Sequence, residues 1–142
     1  MIRTAIIFFL FIGLTSFHFI KQSGLTVSIT NLRNDKGHVL ISLFKNGDGY
    51  PDKPDKAFRK EKLSIKNNKA SVVFNDLPAG DYAIAILHDE DDDLRMNKTW
   101  LGLPKEGYGF SNNVMGTFGP PSYSKAKFAH SNPSSQEIKT RY

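Results

Sequence analysis

The sequence predicts an all-β protein, an antiparallel β-sandwich of about seven strands of immunoglobulin or transthyretin type. Three observations lead there. Short segments alternate apolar and polar residues with a period of two, Asn-Gly, Asp-Gly and Pro-containing turns punctuate them at regular spacing, and nothing beyond the first two dozen residues has a helical period.

The chain opens "MIRTAIIFFLFIGLTSFHFI", with a cation at Arg3 followed by an apolar run from Ala5 to Ile20. A charged start before an apolar stretch is the order of a signal peptide, and the run falls short of the roughly 20 residues of a comfortable membrane span. Residues 1–23 are therefore read as a signal peptide, or as an N-terminal anchor if uncleaved, and residues 24–142 as one β-sandwich domain. A chain of 142 residues with 39% hydrophobic and 12% aromatic content can bury one core without staples. It contains no Cys, which closes lipid attachment at a thiol and is compatible with a periplasmic, cell-surface or extracellular location.

From Leu25, "LTVSITNL" sets Leu25, Val27 and Ile29 on one face. "NDKG" turns, and "HVLISLF" (His38 to Phe44), apolar on both faces, reads as a central strand. Ala57 and Phe58 anchor the Pro-containing connection. "KLSIK" and "KASVVFN" are predicted to form a hairpin across Asn67-Asn68, with Leu63, Ile65, Val72 and Phe74 inward. "DYAIAIL" (Asp81 to Leu87) follows the "PAG" turn, its alanines implying a closely covered face. "KAKFAH" and "QEIKTRY" supply the last two strands.

Between them, His88 to Ser124 has almost no strand pattern. Its five glycines and three prolines mark it as loop, yet it carries Trp100, Leu101, Tyr108, Phe110, Met115, Phe118 and Tyr123. Side chains of that size bury enough surface to offset ordering entropy, so the segment is expected to be an ordered cap on one end of the sandwich.

Charge excludes one function class. Of 19 basic residues, Arg3 and Lys21 lie in the leader, leaving 17 against 14 acidic, or +3. The stretch Lys53, Lys56, Arg59, Lys60, Lys62, Lys66 and Lys69 has no interleaved base-stacking aromatics. It reads as a solvated face and as edge-strand protection. No nucleic acid is expected as a partner, and membrane contact only through an uncleaved leader.

"LPAGDYAIAILHDEDDD", followed by "LGLPKEGYGFSNN" and "FGPPSYSKAKF", resembles the uncharacterised bacterial family known as domain of unknown function 2141, from about Leu25 to the C-terminus. The resemblance implies an exported β-sandwich protein with no assigned activity. Members typically carry a loop of the form HDENGNGKLD. Here "HDEDDDLRMN" has Asp91 and Asp93 in place of Asn, Leu94 in place of Gly and Asn97 in place of Asp.

The five consecutive carboxylates Asp89 to Asp93 admit three readings: a solvated turn relieved by Arg95, Lys98 and Lys105; a calcium site; or half of an acid–base pair. Asp89, Asp91 and Asp93 have the alternate spacing of calcium-loop ligands, with Asn97 or a carbonyl as a further donor and Glu106 folding back from the cap. Leu94 stands at the turn glycine of an EF-hand and Trp100 at its bidentate Glu, so a full EF-hand is excluded. The acid–base reading uses His88 with Asp89, and Glu106 or Lys105 as partner, but neighbours on a strand face opposite ways. His18, His38 and His130 lack the converging donors of a zinc site. Tyr108 and Phe110 either plug the sandwich end or line a ligand surface; Asn112 and Asn113 form turns or reach the acidic loop.

The sequence is therefore expected to encode a non-enzymatic module of the cell envelope. It would bind an envelope or extracellular protein or glycan through a surface including His88, Lys105, Glu106, Tyr108, Phe110, Asn112 and Asn113, with calcium at Asp89, Asp91, Asp93 and Asn97. No other cofactor is expected. The alternatives are an enzyme or accessory subunit acting on envelope polymer through His88 and Glu106, and a purely structural domain.

Overall fold

The computed structural model describes residues 24–142, so the leader reading lies outside the described residues. Eight strands form two sheets: β1 (Leu25–Thr30), β2 (His38–Lys45), β3 (Arg59–Ser64), β4 (Ala70–Phe74), β5 (Gly80–Asp89), β6 (Gly107–Phe110), β7 (Phe128–His130) and β8 (Ser134–Lys139). The smaller sheet runs β4-β1-β8. The larger runs β3-β2-β5-β6, with β7 also on β5.

Both sheets close on one core. Leu25, Val27 and Ile29, with Ile138 of β8 and Phe74 of β4, meet Val39, Ile41, Leu43, Tyr82, Ile84 and Ile86 of the larger sheet. The period-two pattern of β1 thus becomes strict alternation of buried and half-buried residues. The stripe is apolar because each such side chain removed from water contributes about 1.5–3 kcal/mol. In β2, Leu43 and Phe44 are both fully buried, as befits a strand flanked on both sides. Phe44 joins a second apolar layer, where Tyr50 meets the rings of Phe44, Phe110 and Tyr123 edge-on at 5.5, 6.2 and 5.9 Å.

On one edge, β5 pairs with β6 from Ala85 to His88 and with β7 from Gly80 to Tyr82. The cap chain leaves the sheet between them and would strand the Ile84 N–H. Ser111 Oγ accepts that hydrogen at 2.9 Å and donates to the Ala126 carbonyl at 2.7 Å. Buried Ala126 belongs to α1 (Tyr123–Ala126), and Ala83 is fully buried as well, which answers the expectation of a covered alanine face.

Four features differ from the sequence reading. The GYGF segment is an eighth strand; its glycines hide it, but a Cβ on Gly109 would sit 2.8 Å from Ile138 Cγ2, and one on Gly107 would sit 2.5 Å from Thr140 Cγ2. The predicted hairpin at Asn67-Asn68 is a crossover. β3 pairs with β2 and β4 with β1, and only the bridge Lys66↔Lys69 joins the two limbs; Leu63, Ile65 and Val72 still pack on the core and Phe74 lies within it. The start of "KAKFAH" is the last turn of α1, leaving a three-residue β7. Finally, β8 lies parallel to β1, and the chain after Lys139 reaches the larger sheet through the bridge Tyr108↔Arg141.

Candidate functional site

The strand β5 delivers the acidic loop. It runs between β2 and β6 and ends with His88 and Asp89, which face opposite sides and are both fully buried. The loop that follows is built by its own carboxylates. Asp89 accepts the backbone N–H groups of Asp93 and Leu94 at 3.2 and 3.1 Å. Glu106, 4% exposed, accepts those of Glu90 and Asn97, each at 2.9 Å. Leu94 takes the left-handed conformation, φ 63°, that a glycine would adopt without cost. Its side chain is 62% exposed, so the turn forms despite the departure from glycine.

The run of five acids divides by partner. Glu90 meets Arg33 Nε at 2.6 Å and Asn34 Nδ2 at 3.4 Å. Asp92 meets His38 Nδ1 at 2.6 Å and Lys62 Nζ at 3.0 Å, tying the loop to β2 and β3. Asp93 accepts the Arg95 N–H, and Asp91 accepts the Asn97 side-chain amide at 2.7 Å. The solvated-turn reading is thus met in part, by Arg33, His38 and Lys62 rather than by Arg95, Lys98 and Lys105.

Asp89, Asp91 and Glu106 converge, each offering an oxygen within 4.8 Å of the other two. Among the described residues none of the three has an ion-pair partner. Each pair at that distance repels by about 1 kcal/mol in water and about 3 kcal/mol at the effective dielectric of partly buried charges. Oxygens on opposite sides of a calcium ion, at about 2.4 Å each, stand about 4.8 Å apart. All three pairs fall within that limit, so one cation could reach an oxygen of each. The trio differs from the predicted set: Glu106 stands in place of Asp93, and Asn97 turns its amide nitrogen to Asp91.

His88 is held on the other face. Its Nε2 faces the Lys36 carbonyl at 2.9 Å and carries the ring hydrogen; Nδ1 accepts from Tyr142 Oη at 2.6 Å, which in turn accepts the Arg33 N–H at 2.9 Å. Burial pushes the Tyr142 phenol up, which keeps the hydrogen on its oxygen. The Arg33 guanidinium lies 4.5 Å over the same ring. Tyr142→Phe should leave the His88 nitrogen and the Arg33 N–H unpartnered, lowering stability by about 1–2 kcal/mol in denaturant unfolding.

The Glu90 pair adds a pH dependence. Burial alone would raise the Glu90 carboxyl, but hydrogen bonds from Arg33 and Asn34 and the Arg33 charge outweigh it and hold the group below its ordinary value. A depressed acid stabilises fully above its unfolded pKa, about 4.3, and that contribution is lost as pH falls through the folded value. Between pH 5 and 3, Glu90→Gln should start from a lower unfolding midpoint and fall less steeply than wild type.

The remaining predicted positions are structural in their contacts. Phe110 is buried and Tyr108 half-buried, their rings edge-on at 6.0 Å. Asn112 donates to the carbonyls of Lys125, Ala126 and Lys127, and Asn113 exchanges hydrogen bonds with Glu137 and Lys139. Both asparagines bind the cap to its neighbours rather than to the acidic loop. Lys105 extends into solvent while its carbonyl accepts from Arg33. Two open grooves, one lined by Ser28, Thr30, Ser64 and Lys66 and the other by Pro133, Ser134 and Ser135, include neither His88 nor Glu106. Sequence reasoning missed Arg33, Lys36 and Tyr142 around His88, and His38 and Lys62 around Asp92; none of them carries a local signal, Lys62 being one of several exposed lysines along β3 and its turns.

The cap is ordered as expected but not by all of its apolar residues. Trp100 is 92% exposed, Phe118 fully so, and Leu101 and Leu103 are 63% and 59% exposed. Backbone turns and the buried acids order that part instead.

A family model described as an uncharacterized protein conserved in bacteria (DUF2141) matches residues 27–139. Neither curated proteins nor solved structures give a match.

Proposed function

Since the chain belongs to the DUF2141 family of uncharacterized proteins conserved in bacteria, whose description assigns no chemistry, we propose from the loop after β5 that it is an exported, non-enzymatic binding module of the cell envelope. The acidic loop takes calcium, and the face carrying that loop meets an envelope or extracellular partner. The single observation supporting the calcium site is the convergence of Asp89, Asp91 and Glu106 without an ion-pair partner among the described residues. Export rests on the order of Arg3 and the apolar run behind it.

A catalytic reading through His88 and Glu106 has less support. A general base needs a nitrogen or oxygen within reach of substrate, yet His88 is fully buried with both ring nitrogens engaged, and neither of the two grooves described above includes it.

Thermal unfolding in calcium and then in chelator tests the reading. Extracellular calcium modules bind with dissociation constants of about 0.1–1 mM. At about 10 mM calcium the linkage then stabilises the folded state by about 1.4–2.7 kcal/mol, a rise in midpoint of about 5–10 °C for a domain of this size. Magnesium, which demands a tighter octahedron and sheds water reluctantly, should give a smaller rise. A midpoint that does not move in calcium overturns the site.

A further inference from the structure

The densest group of exposed large apolar side chains among the described residues is the tip that follows the acidic loop, Trp100, Leu101 and Leu103. Lys98 and Pro104 bridge across it. Thr99 N–H donates to the Leu103 carbonyl at 2.8 Å, Gly102 N–H to the Thr99 carbonyl at 2.9 Å, and Leu103 N–H to Thr99 Oγ1 at 3.1 Å. At its root, Lys105 N–H donates to the Asn97 carbonyl at 2.8 Å. These bonds close a narrow turn and leave Trp100, Leu101 and Leu103 no core to fold into. Gly102, at φ +81°, would have nothing within 4 Å of an added Cβ.

Within the tip segment itself the charge is one-sided, although acids flank it on both sides in sequence. Residues 95–105, "RMNKTWLGLPK", carry Arg95, Lys98 and Lys105 and no carboxylate. All three cations are exposed, and none forms an ion pair among the described residues. An apolar turn flanked along the chain by exposed cations matches the layering of an anionic bilayer surface, with hydrocarbon beneath negative headgroups. Tryptophan has the amphipathic ring that settles at that boundary.

We propose that the Trp100–Leu103 turn inserts into an anionic phospholipid surface, with Lys98, Lys105 and Arg95 against the headgroups. This names the partner that the reading above left open and adds a membrane contact that the sequence had assigned only to the leader. It rests on that reading for one feature. Asp91 and Asp93 stand at the root of the tip, so calcium on the acidic loop lowers their repulsion of the same headgroups and strengthens docking.

Trp100 is the one tryptophan in the chain, so its fluorescence reports the tip itself; the apolar run from Ala5 to Ile20 contains none and is silent. The full chain is mixed with vesicles of phosphatidylcholine, with and without phosphatidylglycerol, in chelator and in calcium. With phosphatidylglycerol the emission should shift to the blue and be quenched by bromine in the acyl chains. Lys98→Glu with Lys105→Glu should weaken the apparent affinity by about tenfold or more, and Leu101→Ser with Leu103→Ser should remove the quenching. Calcium should lower the vesicle concentration needed.

Emission unchanged and unquenched by either vesicle overturns the proposal. So does an equal response to pure phosphatidylcholine, or a blue shift that follows protein concentration without vesicles, which would mean that a second copy covers the tip. Quenching in chelator together with a calcium-insensitive unfolding midpoint keeps the lipid contact and sinks the calcium site instead.

Discussion

Asp89→Ala is expected to stay within about 2 kcal/mol of wild type in chelator and to lose the stabilisation by calcium. The alanine gives up two hydrogen bonds from backbone N–H groups to a buried carboxylate, each worth about 1.5–3 kcal/mol. Against this, it removes the repulsion of Asp89 by Asp91 and Glu106, about 1 kcal/mol toward the exposed Asp91 and about 3 kcal/mol toward the buried Glu106. The two effects nearly cancel, about 3–6 kcal/mol of hydrogen bonding against about 4 kcal/mol of relief, so the net change in chelator falls between about −1 and +2 kcal/mol. In about 10 mM calcium the variant falls behind by about 1.4–2.7 kcal/mol more, because only the wild type gains the linkage contribution. Denaturant unfolding under both conditions checks this. Asp91→Asn separates the contributions: Asp91 is exposed and accepts only a side-chain amide. That variant should stay within about 1 kcal/mol of wild type in chelator while losing most of its calcium response. If both variants keep the full response, the ion is elsewhere or absent.

Gly37→Ala is the second large effect, and it acts on the same loop from behind. Gly37 closes the turn before β2 with φ +62°, and a Cβ there would overlap the Asp89 carbonyl oxygen and come within 2.8 Å of Glu90 Cα. A left-handed alanine costs about 1–2 kcal/mol, and forcing an atom into packed backbone about 1–3 kcal/mol more. The obstacle is the end of β5 rather than a flexible side chain, so relief requires moving Asp89 itself. The expected loss is about 2–5 kcal/mol, together with weaker calcium stabilisation. Gly102→Ala is the control: φ is +81° and no neighbour lies within 4 Å, so only the backbone strain remains, about 1–2 kcal/mol. Equal losses in the two variants would show that the close approach at Gly37 carries no weight.

The elements with strict alternation were readable without coordinates. Leu25, Val27 and Ile29 could face only one way, and "HVLISLF", apolar on both faces, could lie only inside a sheet. The element that escaped reading was β6, where Gly107 and Gly109 are demanded by the close passage of Thr140 and Ile138. A residue chosen for what lies above it has no pattern of its own. The hairpin at Asn67-Asn68 was misread for a related reason. Turn chemistry sets a reversal of direction, as φ 53° and 59° at the two asparagines show, but not which sheet each limb then joins. Of the candidate site, the donor types and the loop were legible, and so was the possibility that Glu106 folds back. Which carboxylates converge was not, because that depends on how the chain from Asn97 to Glu106 folds back on the end of β5.

The periodicity and turn residues of this chain by themselves determine that it is built of strands, where most of them run, and that acids cluster after the fifth. Those are properties of neighbours along the chain, and a period of two records them. Only the tertiary structure decided that Asp89, Asp91 and Glu106 share one point, that His88 is sealed by the C-terminal Tyr142, and that Trp100 faces solvent while Phe110 fills the cap. Burial and convergence depend on segments far apart in sequence, and hydrophobicity reads the same at a tip as in a core.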